Sequence, residues 1–202
     1  MASIIAIAGM PGSGKSSTGK KLAALLSCKW VDLDLEVERR AGKSIARIFA
    51  EDGEPAFRRM EKTVLARIIR DFSTSPEMTK ETSPEMTKEA SFKMEEEASF
   101  KMTERGSLSF RPSAASGEIS IKESYLKNVQ LVISLGGGTL MDQENLKLVK
   151  AKTECIWLDV PVEELTERLW TEKDSRPLLA GAKTKEELRA LLQTLYEQRR
   201  PK

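Results

Sequence analysis

The chain contains no histidine among its 202 residues. That absence excludes hydrolases built on a Ser-His or Cys-His pair and most zinc sites, so acid–base work falls to Asp, Glu, Lys or water. Cysteine is scarce as well. Cys28 and Cys155 lie far apart, with no metal-ligand spacing and no disulfide framework, and they read as buried reduced thiols of a cytosolic protein. Long apolar runs are missing: no stretch approaches the roughly 18 residues of a membrane span. The N-terminus is apolar only briefly before glycines break it, and it lacks a basic leader, so it reads as a strand and not a signal peptide. An excess of one charge is also lacking. With 33 Lys+Arg against 31 Asp+Glu the net charge is +2, which argues against nucleic acid as the partner. The length suits one domain with a real core.

What the chain does contain is Gly9-Met10-Pro11-Gly12-Ser13-Gly14-Lys15-Ser16, set between the apolar run Ser3–Ala8 and a helical pattern from Lys15 to about Ser27. Glycines let successive backbone N–H groups turn inward onto phosphate oxygens, and the following helix offers its positive end to the same anion. Lys15 can reach the β- and γ-phosphates, and the Ser16 hydroxyl is placed to ligate Mg²⁺. The chain therefore binds a nucleoside triphosphate.

Strand and helix signals alternate along the rest. Strands are expected at Trp30–Leu33, Val129–Ser134 and Cys155–Val160, with helices at Leu35–Ala41, Ser44–Glu51, Glu54–Arg70, Pro161–Trp170 and Thr184–Arg199. Thr184 with Glu187 forms a capping-box pattern. Near-continuous apolar strands between helices imply a parallel sheet covered on both faces, a three-layer α/β nucleotide-binding fold.

One block is foreign to that pattern. From Ser75 to Ala114 the chain repeats every eight residues, with Met78, Met86, Met94 and Met102 in the fourth position before Phe110 replaces them. On a helix the methionine stripe would drift by about 80° per repeat, so no seam forms. The block reads as a low-complexity insertion, disordered because it buries too little to offset chain entropy, and a surface insertion of this kind costs the core little.

Further candidates gather at the carboxyl ends of the strands, where open α/β sheets bind ligands. In Asp32-Leu33-Asp34 the alternation lets the two carboxylates share a side; one can serve Mg²⁺ through water and the other can accept from a substrate hydroxyl. The plainer reading is Asp34 as the N-cap of the next helix. Arg58 and Glu61 stand at i and i+3, so an ion pair could orient the guanidinium for bidentate carboxylate binding. Gly136-Gly137-Gly138 would let backbone approach a small ligand. Arg176, in a polar stretch between helices, suits a lid over the phosphates.

In that order after the phosphate loop, Asp32-x-Asp34, Ile48-Phe49-Ala50-Glu51-Asp52-Gly53-Glu54, Phe57-Arg58-x-x-Glu61, Gly136-Gly137-Gly138 and Arg176-Pro177-Leu178-Leu179 resemble shikimate kinase, over essentially all of the chain except the octad block. The resemblance implies a P-loop kinase domain over residues 1–202, with 75–114 as an insertion. It implies transfer from ATP to the 3-hydroxyl of shikimate on the route to chorismate and aromatic amino acids. Gly12, Ser13, Gly14, Lys15, Ser16, Ser17 and Arg176 would bind ATP, with Lys15 on the transferred group and Arg176 as the lid arginine. Ser16 and Asp32 would serve Mg²⁺, the latter through water. Asp34 would bind shikimate hydroxyls and act as the base. Arg58, Gly137, Gly138 and Arg199, in Arg199-Arg200-Pro201, would hold the shikimate carboxylate, and Arg168 would stack on adenine. The implied enzyme is a cytoplasmic monomer with no nucleic-acid or membrane partner.

Two departures accompany the resemblance. Glu61 and Gly136 are 75 residues apart, and the octad block accounts for most of that excess. The family's pattern continues past the Arg199 motif with an edge strand and a terminal helix that this chain lacks, which leads us to expect weak nucleotide affinity and low stability. The alternatives are a related small-molecule kinase, gluconate-like, or a non-catalytic relative.

Overall fold

The computed structural model describes residues 3–73, 98–102, 107–112, 119–122, 128–172, 176, 178–179 and 181–200. Its centre is an all-parallel sheet of four strands: β1 (Ser3–Gly9), β2 (Lys29–Asp32), β6 (Val129–Ser134) and β7 (Glu154–Leu158), in spatial order β2-β6-β1-β7. Alternate residues of the apolar strands enter different cores. Ile4, Ala6, Ala8, Leu131 and Ile133 face one side. There they meet α2 (Leu33–Ala41), α3 (Ile45–Ser73) and α4 (Gln143–Lys152) through Val37, Leu65, Ile69 and Val149. Ile5, Ile7, Val132, Ile156 and Leu158 face the other side, where Leu22 and Ala23 of α1 (Lys15–Leu25) cover them. This is the expected three-layer architecture. A third cluster joins Met10 to α5 (Val162–Trp170) and α6 (Lys185–Arg199) through Leu165, Leu169, Leu188 and Leu192.

The elements depart from expectation at instructive places. The two helices expected over 44–51 and 54–70 run together as α3, bent at Gly53, where φ is 78° and only glycine is comfortable. Pro55 follows in the first turn of the second segment, where its missing N–H costs nothing. Helix α4 has no counterpart in the expected elements; its signal was Asp142, whose side chain caps the N–H groups of Glu144 and Asn145. Thr184 caps α6 by accepting from the Glu187 N–H, but the Glu187 carboxylate accepts from Lys183, one residue before the cap.

Within the octad block, β3 (Ala98–Met102) and β4 (Ser107–Pro112) pair antiparallel, and β4 pairs with β5 (Ile119–Lys122). The expectation of disorder therefore fails at residues 98–102 and 107–112. Eight is an even number, so the polar–apolar alternation of Ser-Phe-Lys-Met stays in phase from copy to copy, which suits strands. The rest of the block lies outside the described residues. A second correction concerns Cys155: it is exposed on β7, which pairs with β1 and has no other strand beside it among the described residues. Cys28 is half-buried, and burial pushes its thiol up to about 11.

Candidate active site

The turn from β1 to α1, the end of β2 and the turn after β6 open at one edge of the sheet, because Asp32 lies in register with Ser134 and Ser134 with Ile7. Chain direction from β1 to β2 and from β6 to β7 diverges there, the geometry that makes a ligand crevice in open α/β sheets.

The phosphate loop curls through Gly12 and Gly14 with φ of 75° and 85°. Lys15 lies back across it, its Nζ donating to the carbonyls of Gly9 at 3.2 Å and Met10 at 2.8 Å. The Ser13 hydroxyl is buried in the loop with no protein partner among the described residues. The loop is tied to the sheet by a relay absent from the sequence reading: Trp30 Nε1 donates to Ser134 Oγ, which donates to the Lys15 carbonyl, each at 3.0 Å.

The Ser16 hydroxyl donates to Asp32 Oδ2 at 2.5 Å. Asp32 Oδ1 accepts the N–H groups of Asp34 and Leu35, so Asp32 is the N-cap of α2. The reading of Asp34 as the cap is thereby corrected: a cap must precede the first helical turn, and Asp34 is already within it. Its carboxylate faces the crevice instead. Burial, reinforced by the negative charges of Asp32 and Glu61, pushes Asp34 up to about 6, against the opposing pull of Lys15 and Arg58. Burial takes Lys15 down to about 8, and Arg176 pushes in the same direction while Asp34 and Asp32 oppose it.

Beyond Asp34 stands Arg58, held between Glu54 and the buried Glu61, the latter at 2.9 Å. Arg199 comes in from the end of α6 and donates to the Gly137 carbonyl at 3.0 Å. Burial and the neighbouring charge of Arg58 both push the Arg199 guanidinium below its ordinary range. Two like charges in one half-buried recess favour an anion between them. The glycine turn packs closely here: a Cβ on Gly138 would stand 2.8 Å from Arg58 Nη2. A Cβ on Gly137 would meet Pro11 of the phosphate loop.

Arg176 pairs with Glu172 at 3.2 Å and is near enough for its charge to act on Lys15. Arg168 donates to the Gly12 carbonyl and to Glu164, which puts it under the phosphate loop. Ser17 opens α1 on the exposed side. Lys15, Ser16, Asp32, Asp34, Arg58, Gly137, Gly138, Arg176 and Arg199 thus lie together at this edge of the sheet. Among the described residues there is no group of three or more His, Cys, Asp or Glu side chains that could hold a metal ion.

A family description of shikimate kinase matches residues 11–78 and 77–201. The shikimate kinase of Zymomonas mobilis is 31% identical over 187 residues, covering 93% of this chain and 73% of that protein. The shikimate kinase of Corynebacterium glutamicum is 29% identical over 198 residues, covering 96% and 82%. Among solved structures, the shikimate kinase of Acinetobacter baumannii in complex with shikimate superposes with a TM-score of 0.60 at 25% identity, over 98% of this chain and 79% of that one. The Bacteroides thetaiotaomicron shikimate kinase gives a TM-score of 0.64 at 24% identity, over 98% and 80%, and shares the fold.

Proposed function

The chain belongs to the shikimate kinase family, and from that premise we propose that it transfers the γ-phosphoryl group of ATP to the 3-hydroxyl of shikimate. The observation that carries the site assignment is the position of Asp34. Its carboxylate lies in the field of Lys15 on the phosphate side and of Arg58 on the acid side. A base there can take a proton from a hydroxyl whose molecule is anchored at one end and faces phosphate at the other.

In this reading the backbone of Gly12–Ser17 cradles the phosphates, and Lys15 exchanges its two loop carbonyls for phosphate oxygens. Arg58 and Arg199, with the backbone at Gly137 and Gly138, hold the shikimate carboxylate, which relieves the repulsion between the two guanidiniums. Arg176 adds positive charge beside Lys15. Asp34 orients the acceptor hydroxyl and takes its proton. Phosphoryl transfer needs positioning and charge neutralisation more than covalent help, so a chain without histidine lacks nothing for it.

Mg²⁺ fits the donor set, since the Ser16 hydroxyl and the Asp32 carboxylate are hard oxygens side by side at the phosphate loop, and Asp32 would serve the ion through water. Two protein oxygens suffice for an ion that keeps phosphate and water ligands; when bound it neutralises charge on the phosphates. The accompanying reading is one kinase domain over residues 1–202 carrying an insertion at 75–114. It acts as a cytoplasmic monomer without a nucleic-acid partner, in keeping with the nearly balanced charge. No described helix is long and apolar enough to cross a membrane.

The test is ADP release from ATP and Mg²⁺ with shikimate or gluconate as acceptor, using Asp34→Asn as control. Shikimate-dependent release that Asp34→Asn abolishes is expected. Release with gluconate alone, or a fully active Asp34→Asn, would overturn the reading.

A further inference from the structure

Behind Arg58 lies a buried polar chain that the transfer reaction does not call upon. Glu61 is fully buried. Its Oε2 accepts from Arg58 Nη1 at 2.9 Å, and its Oε1 accepts from the Thr139 hydroxyl at 2.5 Å. Thr139 follows the glycine triplet directly and is itself fully buried, its N–H donating to the Gly136 carbonyl. Its carbonyl accepts from Asn145 Nδ2 at 3.1 Å, and Asn145 is buried in the first turn of α4. A Cβ on Gly136 would stand 2.9 Å from the Thr139 hydroxyl, 2.7 Å from Glu61 Oε1 and 2.6 Å from Asp34 Oδ1, so three oxygens converge on that point.

Arg58 has two acidic partners of unequal firmness. Glu54 is half exposed and accepts from Nε and Nη2, whereas the Glu61 side chain is only 1% exposed. The buried carboxylate is the fixed point, and the exposed pair is screened by solvent. Rotation about the last bond of a glutamate is soft, so a carboxylate held at one oxygen can swing its plane. Held at both, it cannot. The Thr139 hydroxyl is the second anchor, and its own place is set by the glycine turn and Asn145.

We propose that Thr139 is a positioning residue for substrate binding: by holding Glu61 Oε1 it fixes the plane from which Arg58 presents its guanidinium to the substrate carboxylate. Thr139 touches no substrate itself. Removing the hydroxyl leaves a buried carboxylate oxygen without its donor, and the Arg58 fork loses its fixed orientation. The proposal rests on Arg58 as the carboxylate ligand of the reading above.

The test compares Thr139→Ser, which keeps the hydroxyl, with Thr139→Ala, which lacks it; both lose the methyl group. In the full chain, Thr139→Ala should raise KM for shikimate about tenfold with kcat and KM for ATP nearly unchanged, the pattern of lost binding alone. Thr139→Ser should stay within about twofold of the parent in KM for shikimate. Equal KM for shikimate in the two variants, or an equal rise in KM for ATP, would overturn the proposal. A second measurement needs no substrate. In urea unfolding, Thr139→Ala should shift the midpoint less in a Glu61→Met background than in the parent, because the partner is already gone. Equal shifts in both backgrounds would also overturn it. A parent enzyme with no shikimate-dependent turnover would overturn the kinase reading instead, and the unfolding cycle would still decide whether Thr139 holds Glu61.

Discussion

The backbone N–H of Asp34 donates to the Asp32 carboxylate at 3.0 Å, so one aspartate closes the end of α2 while the other is left facing the crevice. Asp32 serves two oxygens to two tasks: Oδ1 caps the helix and Oδ2 accepts from Ser16. The two tasks separate by substitution. Asparagine caps as well as aspartate, so Asp32→Asn should unfold within about 0.5 kcal/mol of the parent, whereas Asp32→Ala should lose about 1 kcal/mol. Both should need more Mg²⁺ for half-maximal rate, because both lack the anion beside Ser16. Urea unfolding with a Mg²⁺ titration of turnover checks this, and equal stability of the two variants would refute the cap.

Asp34 should set the acid side of the rate profile. As a base it must be ionised, so kcat/KM should fall as pH drops below about 6, the position to which burial and its acidic neighbours push the group. Stability should run the other way. A carboxyl held above its unfolded value of 3.8 opposes folding when ionised. That penalty is fully present above about 6 and disappears as pH falls toward 3.8. Asp34→Asn should therefore lose about 10²- to 10⁴-fold in kcat, the usual worth of a general base. It should be no less stable than the parent at neutral pH. Unfolding titrations and rate profiles of both proteins test the pair of claims; a destabilised Asp34→Asn would contradict them.

Lys15 should govern the alkaline side. Burial and Arg176 disfavour its charged form, which titrates near about 8 in the free protein. Its charge is needed on the phosphates, so kcat/KM for ATP should decline above about 8. Lys15→Met should lose about 10³-fold in kcat, as removal of a transition-state donor commonly does. An unchanged alkaline limb in Lys15→Arg, whose charge does not titrate in this range, would count against the assignment.

The sheet and the phosphate loop were legible because their signals are local. Apolar runs such as Ile4–Ala8 and Leu131–Ile133 are buried on both faces, and the glycine spacing at 9–14 admits few other conformations. Asp34 and Arg58 drew attention as a strand-end carboxylate and an arginine with an ion-pair partner at i+3, and Arg199 only through the family resemblance. What escaped depends on residues distant in sequence. Thr139 Oγ1 and Glu61 Oε1 are 78 positions apart, and Trp30 and Ser134 are 104 apart; nothing in either neighbourhood announces the other. The N-cap was read at Asp34 and lies at Asp32 for a related reason. Both side chains suit a cap, and only the backbone start of α2 decides which one is used.

The glycine turn after β6 offers a final pair of expectations, because its two ends are crowded by different kinds of neighbour. A methyl group on Gly138 would come within 2.8 Å of Arg58 Nη2, the far end of a flexible side chain. Arg58 can yield by a few tenths of an ångström, at the cost of its alignment. Gly138→Ala should thus fold and keep its KM for ATP, while KM for shikimate rises about tenfold. A methyl on Gly136 would be within 3.0 Å of Asp34 Oδ1, Glu61 Oε1 and Thr139 Oγ1. Glu61 and Thr139 are buried and bonded to each other, so neither can retreat without leaving a polar group unpaired. Gly136→Ala should accordingly lose about 2 kcal/mol or more of stability, the range for overpacking a filled site. It should lose kcat as well, since Asp34 is displaced. Thermal or urea unfolding with initial rates on both variants distinguishes the two positions. If Gly136→Ala were as stable and as active as Gly138→Ala, the three oxygens could not be packed around that carbon as they are here.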